Sequence, residues 1–79
     1  MIRPEQSRAA RALLGWTQQE LADAADLGIV TIQKFESGQT RPQKGTIRLI
    51  RETFEHHGIT FITEGGVGVM LAGDAPRAK

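Results

Sequence analysis

Residues 17–36 read TQQELADAADLGIVTIQKFE and contain two short amphipathic patterns that are separated by a tight turn. Thr17 and Glu20 have the spacing of a capping box, which predicts that a helix begins directly after Thr17. This first pattern ends at Asp26, and aspartate tolerates the left-handed backbone of a turn better than most residues with a side chain. A second helix is predicted over residues 29–36, so the stretch is a helix, a turn and a helix.

Each of these helices is too short to be stable alone, because two turns do not offset the cost of nucleation. Two further helices are predicted to cover them. Pro4 suits the first turn of one helix, which is predicted to end at Gly15. The other is predicted over residues 44–57, with Gly58 as its stop. The predicted apolar stripes consist of Ala9, Ala10, Leu13, Leu14, Leu21, Ala22, Ala25, Ile32, Phe35, Ile47, Ile50 and Phe54.

The hydrophobic period changes after Gly58, where apolar and β-favouring residues begin to alternate. Residues 59–63 and 67–71 alternate in this way on either side of the turn signal Glu64-Gly65-Gly66, which predicts a β-hairpin. We therefore divide the chain into a helical domain over residues 1–58, a hairpin over residues 59–72 and a flexible tail over residues 73–79.

Composition narrows the possible functions of a chain of 79 residues with no cysteine and a formal net charge of +1. A single small domain is expected, and a disulfide framework is excluded. No apolar run reaches the roughly 20 residues that cross a bilayer, so we expect a cytoplasmic protein without a membrane partner. We expect no enzyme, no cofactor and no metal site, because no nucleophile spacing or phosphate-binding glycine loop occurs and His56-His57 are too few ligands.

The outer side of the second short helix carries Ile29, Val30, Gln33 and Lys34. A B-DNA major groove admits one α-helix, in which glutamine can pair with adenine, lysine can reach guanine or phosphate, and apolar residues can contact thymine methyls. Gln18 begins the preceding helix, where backbone N–H groups favour a phosphate. If the helix is rotated instead, Ile29 and Val30 belong to the core and the base-facing set shifts.

The run Thr17-Gln18-Gln19-Glu20-Leu21-Ala22 is followed at fixed offsets by Leu27, Ile32, Phe35 and the ending Glu36-Ser37-Gly38. This pattern resembles the phage Cro/cI repressor type of helix-turn-helix, the XRE family, over roughly residues 4–57. The resemblance implies a mainly α fold, a four-helix lambda repressor-like domain, here followed by the C-terminal hairpin. It also implies a sequence-specific transcriptional regulator that binds DNA as a dimer. The chain departs from the family pattern at the turn glycine, at the polar N-cap and at two base-facing positions, where it has Asp26, Gly28, Ile29 and Val30.

The resemblance also assigns individual roles. Gln18 would clamp a phosphate, and the loop over residues 39–44 would lie along the DNA backbone. Arg11 and Glu36 match a pair that forms an internal salt bridge in relatives, which would tie the first helix to the end of the recognition helix. The full set of predicted DNA contacts is Gln18, Ile29, Val30, Gln33, Lys34, Thr40, Arg41 and Lys44. Arg48 and Arg51 are interpreted as a solvated face.

These observations predict a transcriptional regulator, and a repressor is favoured. Its predicted partner is double-stranded DNA, so the bound protein is expected at the nucleoid. One helix reads only a few base pairs, so two copies would meet half-sites about 34–36 Å apart. The hairpin is the candidate dimer element, because its alternating apolar residues have little core left to cover them. The alternative is an antitoxin-type module that binds a toxin partner and represses its own gene. A neighbouring toxin-like gene or a co-purifying protein would favour it.

Overall fold

The computed structural model of the protein describes residues 1–39 and 42–73. Its elements are α1 (Pro4–Leu14), α2 (Gln18–Ala25), α3 (Ile29–Ser37), α4 (Lys44–His56), β1 (Ile59–Ile62) and β2 (Gly68–Leu71). The predicted mainly α architecture with a C-terminal hairpin is confirmed. None of the helices in the described ranges is long and apolar enough to cross a membrane.

Local contacts set both the start of α2 and the turn that follows it. The Thr17 hydroxyl accepts a hydrogen bond from the Glu20 backbone N–H at 3.0 Å, and the Glu20 carboxylate accepts one from the Thr17 N–H at 2.8 Å. Asp26 ends α2 with φ 56° and ψ 46°, in the left-handed region. The Leu27 N–H then returns to the Ala22 carbonyl at 2.9 Å, so the chain turns at once into α3.

The four helices enclose a core that contains the fully buried side chains of Leu21, Ile32, Ile50 and Phe54. The sequence-based stripe on α1 is wrong for Ala9 and Leu13, which are exposed; Leu13 retains 37% of its accessible surface. The buried face of α1 consists of Gln6, Ser7, Ala10 and Leu14. Helix α1 is rotated about its axis relative to the orientation that its apolar residues alone predict. The reason is that it buries two polar side chains, which have hydrogen-bond partners in the interior.

Strands β1 and β2 pair in antiparallel register, with Ile59 opposite Leu71 and Phe61 opposite Val69. These four side chains share one face of the hairpin and join or pack against the core of the helices. The expectation that the apolar residues of the hairpin lack cover within the chain is therefore wrong for this inner face. It holds for the outer face of the hairpin, where Ile62 and Met70 are 42% and 55% exposed.

Helix α1 also holds the hairpin through a polar contact. The Gln6 side chain is 2% exposed, and its Nε2 donates hydrogen bonds to the backbone carbonyls of Ile62 at 3.1 Å and Gly68 at 3.0 Å. These carbonyls belong to opposite strands at the end of the ladder next to the hairpin turn. One buried amide therefore fixes both strands against α1.

Candidate nucleic-acid interface

Helix α3 has a buried side and an exposed side. Ile32, Phe35 and Glu36 are at most 3% exposed and face the other helices. Gln33 and Lys34 are exposed, and Val30 retains 55% of its accessible surface. Positions 33 and 34 are three and four residues after position 30, which is about one helical turn, so all three share one side of α3. That side is a short row with one apolar, one amide and one cationic side chain.

Ile29 differs from its neighbour Val30. Its side chain is half-buried and packs against the hydrophobic core, as does that of Leu27 before it. The expectation that both Ile29 and Val30 point outward therefore holds fully only for Val30. The first turn of α3 packs against the core. Ile29 contributes to this contact because burial of an apolar side chain is favourable.

The C-terminal end of α3 is fixed by an ion pair. Arg11 Nη2 lies 2.8 Å from Glu36 Oε1, and Arg11 Nε donates to both carboxylate oxygens. The salt bridge that the resemblance implies is thus present. Ser7 Oγ donates to Glu36 Oε2 at 2.6 Å, and Arg8 Nη1 donates to the Glu36 backbone carbonyl. Three residues of α1 therefore hold the last turn of α3.

Glu36 is charged within this cluster although its side chain is 1% exposed. Burial raises the pKa of Glu36, but the hydrogen bonds from Arg11, Ser7 and Gln18 and the charge of Arg11 outweigh it. The net pKa lies below the ordinary value of 4.5. A buried carboxylate with this many donors is fully satisfied, so the cluster supports a single position of α3.

Gln18 belongs to the same cluster. It is the first residue of α2, and its Nε2 donates to Glu36 Oε1 at 3.1 Å. One N–H of the side-chain amide is thereby used inside the protein, and the other is left to point elsewhere. The N-terminus of α2, where backbone N–H groups lack intrahelical acceptors, is consequently held in a fixed position relative to α3.

Lys44 is exposed and occupies the first turn of α4. Gln43, the N-cap, makes no side-chain capping bond, and no acidic residue lies in this turn. Backbone N–H groups without intrahelical acceptors and a lysine ammonium thus lie together, an arrangement that favours an anion. The predicted contacts Thr40 and Arg41 lie outside the described residues.

Sequence reasoning overlooked Ser7, Arg8 and Gln6 as residues that position this surface. A signal for Ser7 was available, because positions 7, 10 and 14 have the spacing of one buried helical stripe. Gln6 has the same spacing through positions 6, 10 and 14, and its Oε1 accepts a local hydrogen bond from the Arg3 backbone N–H at 2.8 Å. Its hydrogen bonds to backbone carbonyls about sixty residues away have no local signal.

Comparison with known proteins agrees with this geometry. A family model described as helix-turn-helix matches residues 8–55, which is more than half of the chain. The match begins within α1, contains all of α2 and α3, and ends at Glu55 in the last turn of α4. The hairpin lies outside it. A search of curated proteins gives no significant match.

Proposed function

Because the chain belongs to the helix-turn-helix family of XRE type, a family of DNA-binding transcription regulators, we propose that it is a sequence-specific repressor. It reads the major groove with α3 and binds as a homodimer. The observation that carries this proposal is the division of α3 into a buried, anchored side and an exposed row of Val30, Gln33 and Lys34.

Each member of the exposed row has a chemistry suited to a base edge. Gln33 can pair with adenine through both its amide N–H and its carbonyl, and Lys34 can donate to guanine or to a phosphate. Val30 can contact a thymine methyl. Ile29 contributes to such contacts only through the exposed part of its side chain.

Backbone contacts would come from the two helix N-termini. Gln18 at the start of α2 and Lys44 at the start of α4 present N–H donors and, for Lys44, a positive charge. Such contacts fix the register of a protein on the duplex without reading sequence. Thr40 and Arg41 remain proposed backbone contacts from the sequence.

The test is selection of bound sequences from a random duplex pool at near-physiological salt. Wild type is compared with Gln33→Ala/Lys34→Ala and with the control Glu52→Gln, which changes an exposed residue of α4. We expect an enriched palindrome with wild type and the control, and none with the double variant. No enrichment by folded wild type would contradict sequence-specific binding.

The outer face of the hairpin is the proposed homodimer surface. Ile62 and Met70 are exposed on it, and their positions in the register put them on the same face. A second copy is the occupant because two recognition helices are needed to read two half-sites. Exposed apolar residues that lie together in a small protein are typical of an interaction site.

Substitution tests this surface better than deletion of the hairpin, because Ile59 is part of the core and its loss would unfold the domain. We expect Ile62→Asp/Met70→Asp to sediment as a monomer and wild type as a dimer. Leu49→Asp on α4, which is 39% exposed, is the matched control and should remain dimeric. A dimeric double variant would exclude this face as the interface.

The same face supports the antitoxin-type alternative, in which a different protein covers it. This alternative predicts that purified wild type is monomeric by sedimentation. It further predicts that a toxin encoded beside the gene binds wild type and fails to bind Ile62→Asp/Met70→Asp. A dimeric wild type that the double substitution dissociates would favour the homodimer.

A further inference from the structure

A basic cleft lies along α4 and shares only Lys44 with the DNA-binding surface assigned above. Its volume is about 300 Å³, and it is lined by Met1, Ile2, Lys44, Ile47, Arg48 and Arg51. Ile2 and Ile47 are each 5% exposed and form an apolar floor. The three cations form the rim, so the cleft concentrates positive charge in a protein whose formal net charge is only +1.

The spacing of the three cations places them on one side of α4. Lys44, Arg48 and Arg51 are four and three residues apart, which are neighbouring positions on a helix. They span about 10 Å along the axis at 1.5 Å per residue. Like charges at this spacing repel, and a lysine at a helix N-terminus opposes the helix dipole. An anion bound in the cleft would offset both costs.

The rim cations are weakly partnered within the protein. Among residues 1–39 and 42–73, neither Lys44 nor Arg48 forms an ion pair. Arg51 Nε lies 3.8 Å from Glu55 Oε1, and both side chains are at least 40% exposed, so this pair contributes little to stability. Arg51 Nε is itself buried and has no hydrogen-bond partner. Among the described residues, the positive charge that lines the cleft is therefore largely unneutralised.

We propose that this cleft binds phosphates of the DNA backbone flanking the half-site that α3 reads. This inference rests on the proposed function and extends it: Lys44 is shared by the two surfaces and connects the start of α4 to Arg48 and Arg51. Backbone contacts of this kind add affinity without adding sequence preference. In this proposal Arg48 and Arg51 bind phosphate, whereas the sequence analysis interprets them as a solvated face.

The experiment measures how the affinity for the selected duplex depends on salt. Arg48→Gln/Arg51→Gln is compared with wild type and with the charge-retaining control Arg48→Lys/Arg51→Lys. Two duplexes are used, one ending at the half-sites and one with ten or so extra base pairs on each side. Circular dichroism melting checks that both variants fold, which their partly or fully exposed positions favour.

Each lost phosphate contact lowers the slope of log affinity against log salt by about 1. We therefore expect the glutamine variant to lose about 2 from this slope on the long duplex, to match wild type on the short one, and to select the same sequence. The lysine control should retain most of the slope. An unchanged slope on the long duplex, with sequence selection intact, would overturn the inference alone.

Two further outcomes would also contradict the inference. If wild type selects no sequence and binds no duplex, the proposed function and this inference both fail. Inorganic phosphate is titrated while the amide resonances of α4 are followed. Saturable shifts there that Arg48→Gln/Arg51→Gln abolishes, together with an unchanged slope on DNA, would assign the cleft to a free anion and overturn the inference.

Discussion

Glu36 Oε1 lies 2.8 Å from Arg11 Nη2, and this contact joins the last turn of α3 to α1 across 25 residues of sequence. The same oxygen accepts a hydrogen bond from Gln18, the first residue of α2. One carboxylate thus fixes three helices relative to one another. In the proposed complex, these are the helix that reads bases, the helix that approaches the backbone and the helix that supports both.

Breaking this ion pair is expected to destabilise the fold strongly. Arg11→Met leaves the buried Glu36 carboxylate without its cation, and such a loss costs about 3–5 kcal/mol of unfolding free energy. Urea unfolding at pH 7 measures it. Gln18→Ala removes only a neutral donor from the same carboxylate and should cost about 1 kcal/mol. Equal losses in the two variants would show that the charge of Arg11 is not what stabilises the cluster.

Acid should remove part of this stabilisation. The pKa of Glu36 is lowered in the folded protein, so its contribution is complete above the ordinary value of 4.5 and is lost as pH falls through the folded pKa. Urea unfolding of wild type and Glu36→Gln is compared from pH 7 to pH 3. We expect the advantage of wild type to shrink below pH 4.5. A constant difference across that interval would contradict the lowered pKa.

Much of the helical fold is predictable from the sequence, because its signals are local. Thr17 and Glu20 fix the start of α2 through contacts three residues apart, and the structure contains both hydrogen bonds. The alternation after Gly58 predicts two strands in the same way, and the structure contains both of them in antiparallel pairing. Local hydrogen bonds and periodicity require no knowledge of the rest of the chain.

The rest depends on contacts between distant residues. Whether Ile29 points outward depends on the rotation of α3 about its axis, and the packing of α3 on the core determines that rotation. Gln18 is predicted from the sequence to contact a phosphate, and its additional hydrogen bond to a buried carboxylate eighteen residues away has no local signal. The cover for the inner face of the hairpin comes from helices far away in the sequence. None of these contacts has a periodic signature.

Loss of the Gln6 amide should release the hairpin from α1. Gln6→Leu removes two part-buried hydrogen bonds to the carbonyls of Ile62 and Gly68, which costs about 1–3 kcal/mol in total. Amide hydrogen exchange measures the effect, and we expect faster exchange throughout β1 and β2. Glu5→Gln, a substitution at the exposed neighbouring position, should leave the exchange of the strands unchanged. Equal protection of the strands in both variants would exclude Gln6 as the anchor.

The left-handed residue that ends α2 is expected to carry backbone strain. Asp26 has φ 56°, and Gly15 has φ 71° at the end of α1. A residue with a side chain is disfavoured in this region by about 1–2 kcal/mol, less for aspartate, whereas glycine is not. Asp26→Gly should therefore raise the unfolding free energy by up to about 1 kcal/mol, reduced by the extra freedom of glycine in the unfolded chain.

Gly15→Ala is the matched control, because nothing lies within 4 Å of the added Cβ and only the backbone changes. It should lower stability by about 1 kcal/mol in the same urea titration. If Asp26→Gly were destabilising while Gly15→Ala behaved as expected, the aspartate side chain would contribute more to the turn than its backbone costs.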